Sequence, residues 1–203
     1  MTEAEARDTV ASLVSANALA AIEGFVAKVI AESERQNLIA KTSLAMIWQR
    51  HVLDSAQLLA LATDAIDGLW IDVGTGAGFP GMIVALASER ECLLVEPRRM
   101  RAEFLAAAYA SSRVRILQTK IERVSAESAA IISARAVAPA PELFHVTSHL
   151  ASGDTLYLLP KGQSATTECV EAQRTFSGMF HVEQSMTDVR SGIIVARNVR
   201  AKR

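Results

Sequence analysis

Apolar residues recur at helical spacing over roughly the first sixty positions and in short runs thereafter, and this change of texture divides the chain. Ala18, Ile22, Phe25 and Val29 share one helical face, with Leu19, Val26 and Ile30 widening the stripe, which predicts an amphipathic helix over residues 18–30. A second helix is predicted from Ser43, a suitable N-cap, through LAMIWQRHVLDSAQLLAL to Leu61. No strand signal precedes residue 69. Residues 1–68 are therefore expected to form a helical extension and residues 69–203 the main domain.

From residue 69 the runs LWIDV (69–73), CLLVE (92–96), VRILQ (114–118), AIISAR (130–135) and TLYLLP (155–160) have the length and content of buried strands. PGMIVALASE, RRMRAEFLAAAYASS and PAPELFHVTSHL between them have helical character. Strand and helix in alternation predict an α/β fold, a mostly parallel sheet wound by right-handed crossovers. The end of the chain differs. MFHVEQSM and GIIVARNV are separated only by TDVRS, which predicts a C-terminal antiparallel hairpin.

Composition narrows the setting. A chain of 203 residues, half of them hydrophobic, can bury a sizeable core in one domain with an extension. No apolar run approaches the roughly 18–20 residues of a membrane span, and the start, MTEAEARDTV, is acidic where a signal peptide is basic and then apolar. A cytoplasmic protein without membrane contact is expected. Cys92 and Cys169 lack the spacing of a metal or redox site, so no metal is expected and both are read as buried thiols.

Net charge is −1, but its distribution is uneven. Residues 1–40 hold Glu3, Glu5, Asp8, Glu23, Glu32 and Glu34 against Arg7, Lys28 and Arg35, whereas the last fourteen residues hold Arg190, Arg197, Arg200, Lys202 and Arg203 and no acid. Such a tail is either solvated or a nucleic-acid contact.

The chemistry concentrates in WIDVGTGAGFPG, residues 70–81, with glycine at 74, 76, 78 and 81. A glycine loop after a strand brings backbone close to a ligand, and the helix that follows offers unpaired N–H groups. Two patterns fit. Gly76, Gly78 and Gly81 spell G-x-G-x-x-G, a dinucleotide fingerprint; Asp72, Gly74, Gly76 and Gly78 spell D-x-G-x-G-x-G. The second uses every glycine from the strand end and gives Asp72 a place, either orienting the loop or meeting a methionine ammonium group. Glu96 closes the next strand, where a carboxylate accepts hydrogen bonds from ribose hydroxyls, and it suits NAD and S-adenosylmethionine equally.

NLIA (37–40), IWQRHVLDSAQLL (47–59), WIDVGTGAGFPG, Glu96 with RRMRAEFL, SARA (133–136) and LPKG (159–162) occur in an order and spacing that resemble the ribosomal small-subunit guanine-N7 methyltransferases, formerly called glucose-inhibited division protein B. The resemblance covers about residues 25–200. It implies a class I, Rossmann-like methyltransferase with a mostly parallel seven-stranded sheet and an N-terminal helical extension. It further implies transfer of a methyl group from S-adenosylmethionine to N7 of guanine 527 in 16S rRNA, with S-adenosylhomocysteine as product.

By the same resemblance, Gly74 and Phe79 fall where the family touches cofactor from the glycine loop. Glu96 falls on the ribose acid, Ile121 and Glu122 on the positions flanking the adenine, Arg135 on the arginine facing cofactor and substrate, and Lys161 on a loop lysine. Position 79, commonly Leu in the family, is Phe here. The Lys-Trp pair usual before Asn37 is absent, with Glu32 and Ser33 in that neighbourhood.

Arg135 is the catalytic candidate, holding guanine O6 or a phosphate; its alternative is a structural ion pair. RNA contacts are expected from Arg98, Arg99, Arg101, Lys161 and the tail 197–203, Arg197 and Arg200 included. His51, Asp54 and Ser55 suggest either a hydrolase set or a buried polar network between extension and core; without a strained elbow to present the serine, the network is the expectation. A monomer acting on 16S rRNA or the small ribosomal subunit is expected. An NAD-dependent oxidoreductase and a non-enzymatic RNA-binding factor with a degenerate cofactor loop are the competing readings.

Overall fold

The computed structural model describes residues 1–202, so Arg203 lies outside the described residues. Seven strands form one sheet in the order β3-β2-β1-β4-β5-β7-β6. They are β1 (Trp70–Val73), β2 (Cys92–Val95), β3 (Val114–Leu117), β4 (Ala129–Ala134), β5 (Ala151–Gly162), β6 (Phe176–Gln184) and β7 (Gly192–Ala201). The first five are parallel, β7 runs antiparallel to β5, and β6 pairs antiparallel with β7, so the predicted C-terminal hairpin is present. Every residue of β1, β2 and β4 is buried, which explains why these strands are continuous apolar runs: both faces of a parallel sheet are covered.

Strand order reverses direction at β1, with β2 and β3 on one side and β4 and β5 on the other. In such a sheet the ligand crevice opens at the carboxyl ends of the strands flanking that point. The glycine loop follows β1 and Arg135 follows β4, so both stand at the crevice.

Eight α-helices are described: α1 (Glu3–Leu13), α2 (Ala16–Glu32), α3 (Lys41–Leu44), α4 (Asp54–Leu61), α5 (Gly81–Ala87), α6 (Arg99–Ala108), α7 (Ala140–Thr147) and α8 (Ala165–Thr175). α2 confirms the predicted stripe. It buries Ala18, Ile22, Phe25, Val26 and Val29, while Ile30 stays exposed, and Ser15 caps its start by accepting from the Ala18 amide at 3.2 Å. Each large apolar side chain buried there stabilises by about 1.5–3 kcal/mol. Ile22, Phe25 and Val29 belong to one apolar cluster with Met82, Ile83, Leu94 and Leu105, so the extension and one face of the sheet share a core. A second cluster, with Phe144, Tyr157 and Ile194, fills the opposite face under α7 and α8.

The second predicted helix is corrected. The chain enters α3 at Lys41 with Ser43 inside it, turns at Ala45–Met46, and then forms a π-helical segment, Trp48–Leu53, that continues into α4. Glu3 of α1 holds the start of that segment: its carboxylate accepts from the Trp48 amide at 2.8 Å and the Gln49 amide at 3.0 Å. Neither α1 nor α8 stands out from the sequence pattern. No helix among the described residues is long and apolar enough to cross a membrane.

Candidate functional site

The glycine loop has the backbone its composition demands. Gly74, Gly76 and Gly78 have φ of 63°, 62° and 100°, in the left-handed region where an L side chain is strained. The glycines nevertheless do different work. A Cβ on Gly78 would lie 2.6 Å from the Phe25 ring, and one on Gly74 would lie 2.7 Å from Val137, so both allow close packing within the protein. A Cβ on Gly81, in the first turn of α5, would lie 2.6 Å from an Asp72 oxygen. A Cβ on Gly76 would meet only the end of Arg101 at 3.6 Å and the Gly74 carbonyl at 3.8 Å. Gly76 is thus the position whose outer side the protein leaves open.

Asp72 resolves into the first of its two suggested roles. It is fully buried; one carboxylate oxygen accepts from the Ser133 hydroxyl at 2.6 Å and the other from the Gly81 amide at 2.9 Å. Trp70 Nε1 donates to the same hydroxyl at 2.9 Å. The chain Trp70–Ser133–Asp72–Gly81 ties β1 to β4 and anchors the start of α5, so Asp72 orients the loop. Burial pushes its carboxyl up to about 6, against the pull of Ser133, Thr75, the Gly81 amide and Arg135. The Thr75 hydroxyl is itself buried without a hydrogen bond of good geometry.

Glu96, also buried, spans the loop and the next helix. Its carboxylate accepts from the Gly76 amide at 2.9 Å and the Arg98 amide at 2.8 Å. An acid one hydrogen bond from the open glycine suits a ligand bearing hydroxyls, and the residues present fit a nucleoside cofactor. Ile121 is buried at the start of a short 3-10 turn after β3, with Glu122 exposed beside it.

Phe79 does not face an open pocket. It is buried, with the His51 ring 5.1 Å away, the Phe25 ring 5.9 Å away edge-on, and the Arg135 guanidinium 5.7 Å from its centroid. The apolar Phe79 therefore seats Arg135 and the helical extension on the glycine loop.

Arg135 reaches across to the extension. It donates to the Arg50 carbonyl at 3.0 Å, Asp54 Oδ2 at 3.1 Å and His51 Nδ1 at 2.8 Å. Ser55 donates to the His51 carbonyl at 2.5 Å, and Gln57 donates to Asp54 Oδ1 at 2.9 Å. His51 and Asp54 thus form a polar network with Arg135 as its link to the main domain, while Ser55 bonds only to the backbone of its own helix. Because His51 Nδ1 accepts, the neutral ring carries its proton on Nε2, which is buried without a partner. The guanidinium keeps donors beyond these three, and its side chain is 17 % exposed.

Arg135 opens onto a groove of about 960 Å³ bounded by Met46, Arg50, His51, Pro160, Lys161 and the β6–β7 loop. Ala136, with φ of 54°, turns the chain so that Val137 lies over Gly74, a left-handed residue costing about 1–2 kcal/mol.

The basic candidates divide. Arg98 and Arg99 are exposed at the start of α6, at the ligand end of β2, Arg99 pairing with Glu103 at 2.8 Å. Arg101 is half-buried and donates to the Asn37 carbonyl at 3.0 Å. Lys161, expected at the RNA, makes internal contacts. Its side chain, 6 % exposed, pairs with Glu168 at 3.0 Å and donates to the Ala138 carbonyl, while Glu168 accepts from the Ala140 amide at 2.9 Å. Both bonds hold the loop that follows Arg135.

Arg197 and Arg200 are placed along β7 by the sheet topology. β7 begins at the ligand end, where Gly192 pairs with Gly162, and runs away from it. Eight residues at about 3.3 Å each put Arg200 roughly 25 Å down the sheet, beside Gly153. The same topology brings Arg190 to the groove, and the π-helical segment brings Arg50; sequence alone places neither there, since their positions depend on long-range pairing. No cluster of His, Cys, Asp and Glu able to hold a metal occurs among the described residues, and both cysteines are buried and free.

The sequence profile of the family described as rRNA small subunit methyltransferase G matches residues 18–197. The chain is 49% identical over 179 residues to the ribosomal RNA small subunit methyltransferase G of Sphingopyxis alaskensis, covering 87% of this chain and 77% of that one. It is 42% identical over 205 residues to the protein of the same name from Erythrobacter litoralis, covering 99% and 98%. Among solved structures, a putative S-adenosylmethionine-dependent methyltransferase from Methanococcus maripaludis superposes with a TM-score of 0.56 at 14% identity, covering 84% of this chain and 93% of that one. The fibrillarin/Nop5p complex gives 0.57 at 12%, covering 74% and 82%. These distant likenesses bear on the fold. The profile match and the close relatives, together with the glycine loop, Glu96 and the Arg135 network, establish that the chain belongs to the rRNA small subunit methyltransferase G family.

Proposed function

We propose that the protein transfers a methyl group from S-adenosylmethionine to N7 of guanine 527 in the 16S rRNA of the small ribosomal subunit. The observation that carries this reading is the place of Arg135, between the glycine loop and an open groove, seated on Phe79 and held by Asp54 and His51. Gly76 and Glu96 would hold the cofactor, with Ile121 and Glu122 beside the adenine. When bound, S-adenosylmethionine supplies an electrophilic sulfonium methyl.

Guanine N7 has a lone pair and no proton, so the chain's contribution is position, with reacting atoms about 3–3.5 Å apart. Arg135 holds guanine O6 or an adjacent phosphate with its remaining donors. His51 is not the base of a hydrolase, because Nδ1 already accepts from Arg135.

The experiment is methyl transfer with labelled S-adenosylmethionine to small ribosomal subunits from a strain lacking this protein, followed by mapping. Label at N7 of guanine 527 supports the reading. Label at another atom or nucleotide, or unlabelled RNA, overturns it.

A further inference from the structure

Guanine N7 lies on an edge that is deep and narrow in paired RNA, so a nucleotide methylated there must stand outside a helical stack. The groove beside Arg135 accepts such a nucleotide only if something holds the RNA that flanks it, and the basic tail lies at the wrong end of the sheet. On the functional reading above, we propose that the β6–β7 loop, residues 185–191, is an RNA-contacting finger. Arg190 grips a phosphate beside the target, and Val189 packs against the base left unstacked.

Three observations converge on this loop. Its Ser185, Thr187, Asp188, Arg190 and Ser191 line the groove together with Arg135, and Val189 stands outside that lining. It is also held firmly to the helical extension. Gln49 Nε2 donates to the Thr187 carbonyl at 3.0 Å, the Met186 amide donates to Gln57 Oε1 at 2.8 Å, and Gln57 Nε2 donates to Asp54, which pairs with Arg135. Within the loop, Asp188 Oδ1 accepts from the Arg190 amide at 2.9 Å and the Asp188 carbonyl accepts from the Ser191 amide at 2.9 Å. Finally, this braced loop leaves apolar side chains exposed to solvent: Val189 is 85 % exposed and Met186 46 %.

A single exposed apolar residue is ordinary. Two of them on one loop whose backbone is pinned, next to an arginine side chain 73 % exposed, form a surface with a fixed shape. Arg190 Nε lies 3.5 Å from Asp188 Oδ1, a loose and exposed contact that a phosphate displaces readily. An apolar wedge beside a cation is the combination that supports unstacked nucleic acid. The linkage through Gln57 and Asp54 places the finger in register with Arg135.

The test compares Arg190→Ala, Val189→Ser and, at the far end of the sheet, Arg200→Ala. Each is assayed for methyl transfer to unmethylated small ribosomal subunits at several salt concentrations and for binding of S-adenosylhomocysteine. Arg190→Ala is expected to raise KM for the subunit about fivefold and to lower the slope of log kcat/KM against log salt by about one. Val189→Ser is expected to lower kcat several-fold, and Arg200→Ala to match the parent. All three should bind S-adenosylhomocysteine as the parent does. Parental kinetics in both loop variants overturn the finger and leave the function standing. A raised KM for Arg190→Ala with an unchanged salt slope points to a protein surface and overturns the RNA contact. A parent that transfers no methyl to subunits overturns the functional reading and the finger with it.

Discussion

His51 Nδ1 accepts a hydrogen bond from the Arg135 guanidinium at 2.8 Å, joining the helical extension to the loop after β4 through a neutral imidazole. Burial, then the charges of Arg135 and Arg50, push the His51 pKa down to about 3. The unfolded ring titrates near 6.5. The unfolded chain therefore binds the extra proton between these values, and the contribution to stability is present above pH 6.5 and lost as pH falls toward 3. The advantage of the parent over His51→Gln should shrink by on the order of 1–2 kcal/mol between pH 7 and 5. NMR of the ring should show no titration down to pH 5; an imidazole titrating near 6.5 contradicts the buried network.

Arg135→Lys separates a reacting-site role from a purely structural one. Lysine retains the charge opposite Asp54 but loses the fork that serves Asp54, the Arg50 carbonyl and His51 at once and, on the proposed function, a substrate. Loss of charge-assisted hydrogen bonds worth about 1.5–3 kcal/mol predicts about a 10- to 100-fold fall in kcat/KM for RNA. Affinity for S-adenosylhomocysteine should hold within a few-fold. A lowered melting temperature with undiminished activity per folded molecule assigns Arg135 to the ion pair alone.

Asp72 carries the opposite sign from His51. Its pKa rises from an unfolded 3.8 to about 6 in the fold, so the folded state retains a proton that the unfolded state has released. That contribution is fully present below pH 3.8 and is lost as pH rises through about 6. Asp72→Asn cannot ionise, so its stability relative to the parent should improve on going from pH 4 to 7, by on the order of 2–3 kcal/mol. Chemical denaturation at both pH values measures this. A difference independent of pH means that Asp72 is already charged at pH 4.

The glycines should fail in different ways. Gly76→Val places a branched side chain on the open side of the loop at a left-handed φ, and should abolish S-adenosylhomocysteine binding in a protein that remains folded. Gly81→Ala pushes a methyl group against Asp72 and Leu94, both buried, and should lower stability by about 1–3 kcal/mol as an overpacked core does. Calorimetric titration and thermal melting of the two variants distinguish ligand backbone from packing backbone. Unchanged affinity in folded Gly76→Val removes that glycine from the site.

What the sequence disclosed and what it hid follow from range. β1, β2 and β4 were legible because burial on both faces makes each a self-contained apolar run, whereas VRILQ, read as buried, is the edge strand β3 and is only half-buried; the loop was legible because left-handed backbone selects glycine at alternate positions. The place of Arg200 was hidden because only the pairing of β7 with β5 reveals which way the tail runs. Lys161 reads as a surface charge until Glu168 and Ala138 close over it. The π-helical segment kept its apolar residues near helical spacing, so nothing local marked the break at Ala45–Met46.

Glu3 offers the last test, because it belongs to a helix outside the family's matched span of residues 18–197 yet caps the segment that carries Arg50 and His51. Two charge-assisted bonds to successive amides at a helix start stabilise it by about 1–3 kcal/mol, more than an ordinary neutral cap. Glu3→Ala frees both amides and should loosen residues 48–53, with loss of amide-exchange protection there. Because Arg135 leans on the Arg50 carbonyl and His51, kcat should fall while the KM for S-adenosylmethionine holds. Glu3→Gln, which retains one acceptor oxygen, should recover part of that loss, whereas a role in net charge alone predicts that the Gln and Ala variants behave alike. Full activity in Glu3→Ala, with protection intact at Trp48 and Gln49, shows that the π-helical segment holds its shape without α1.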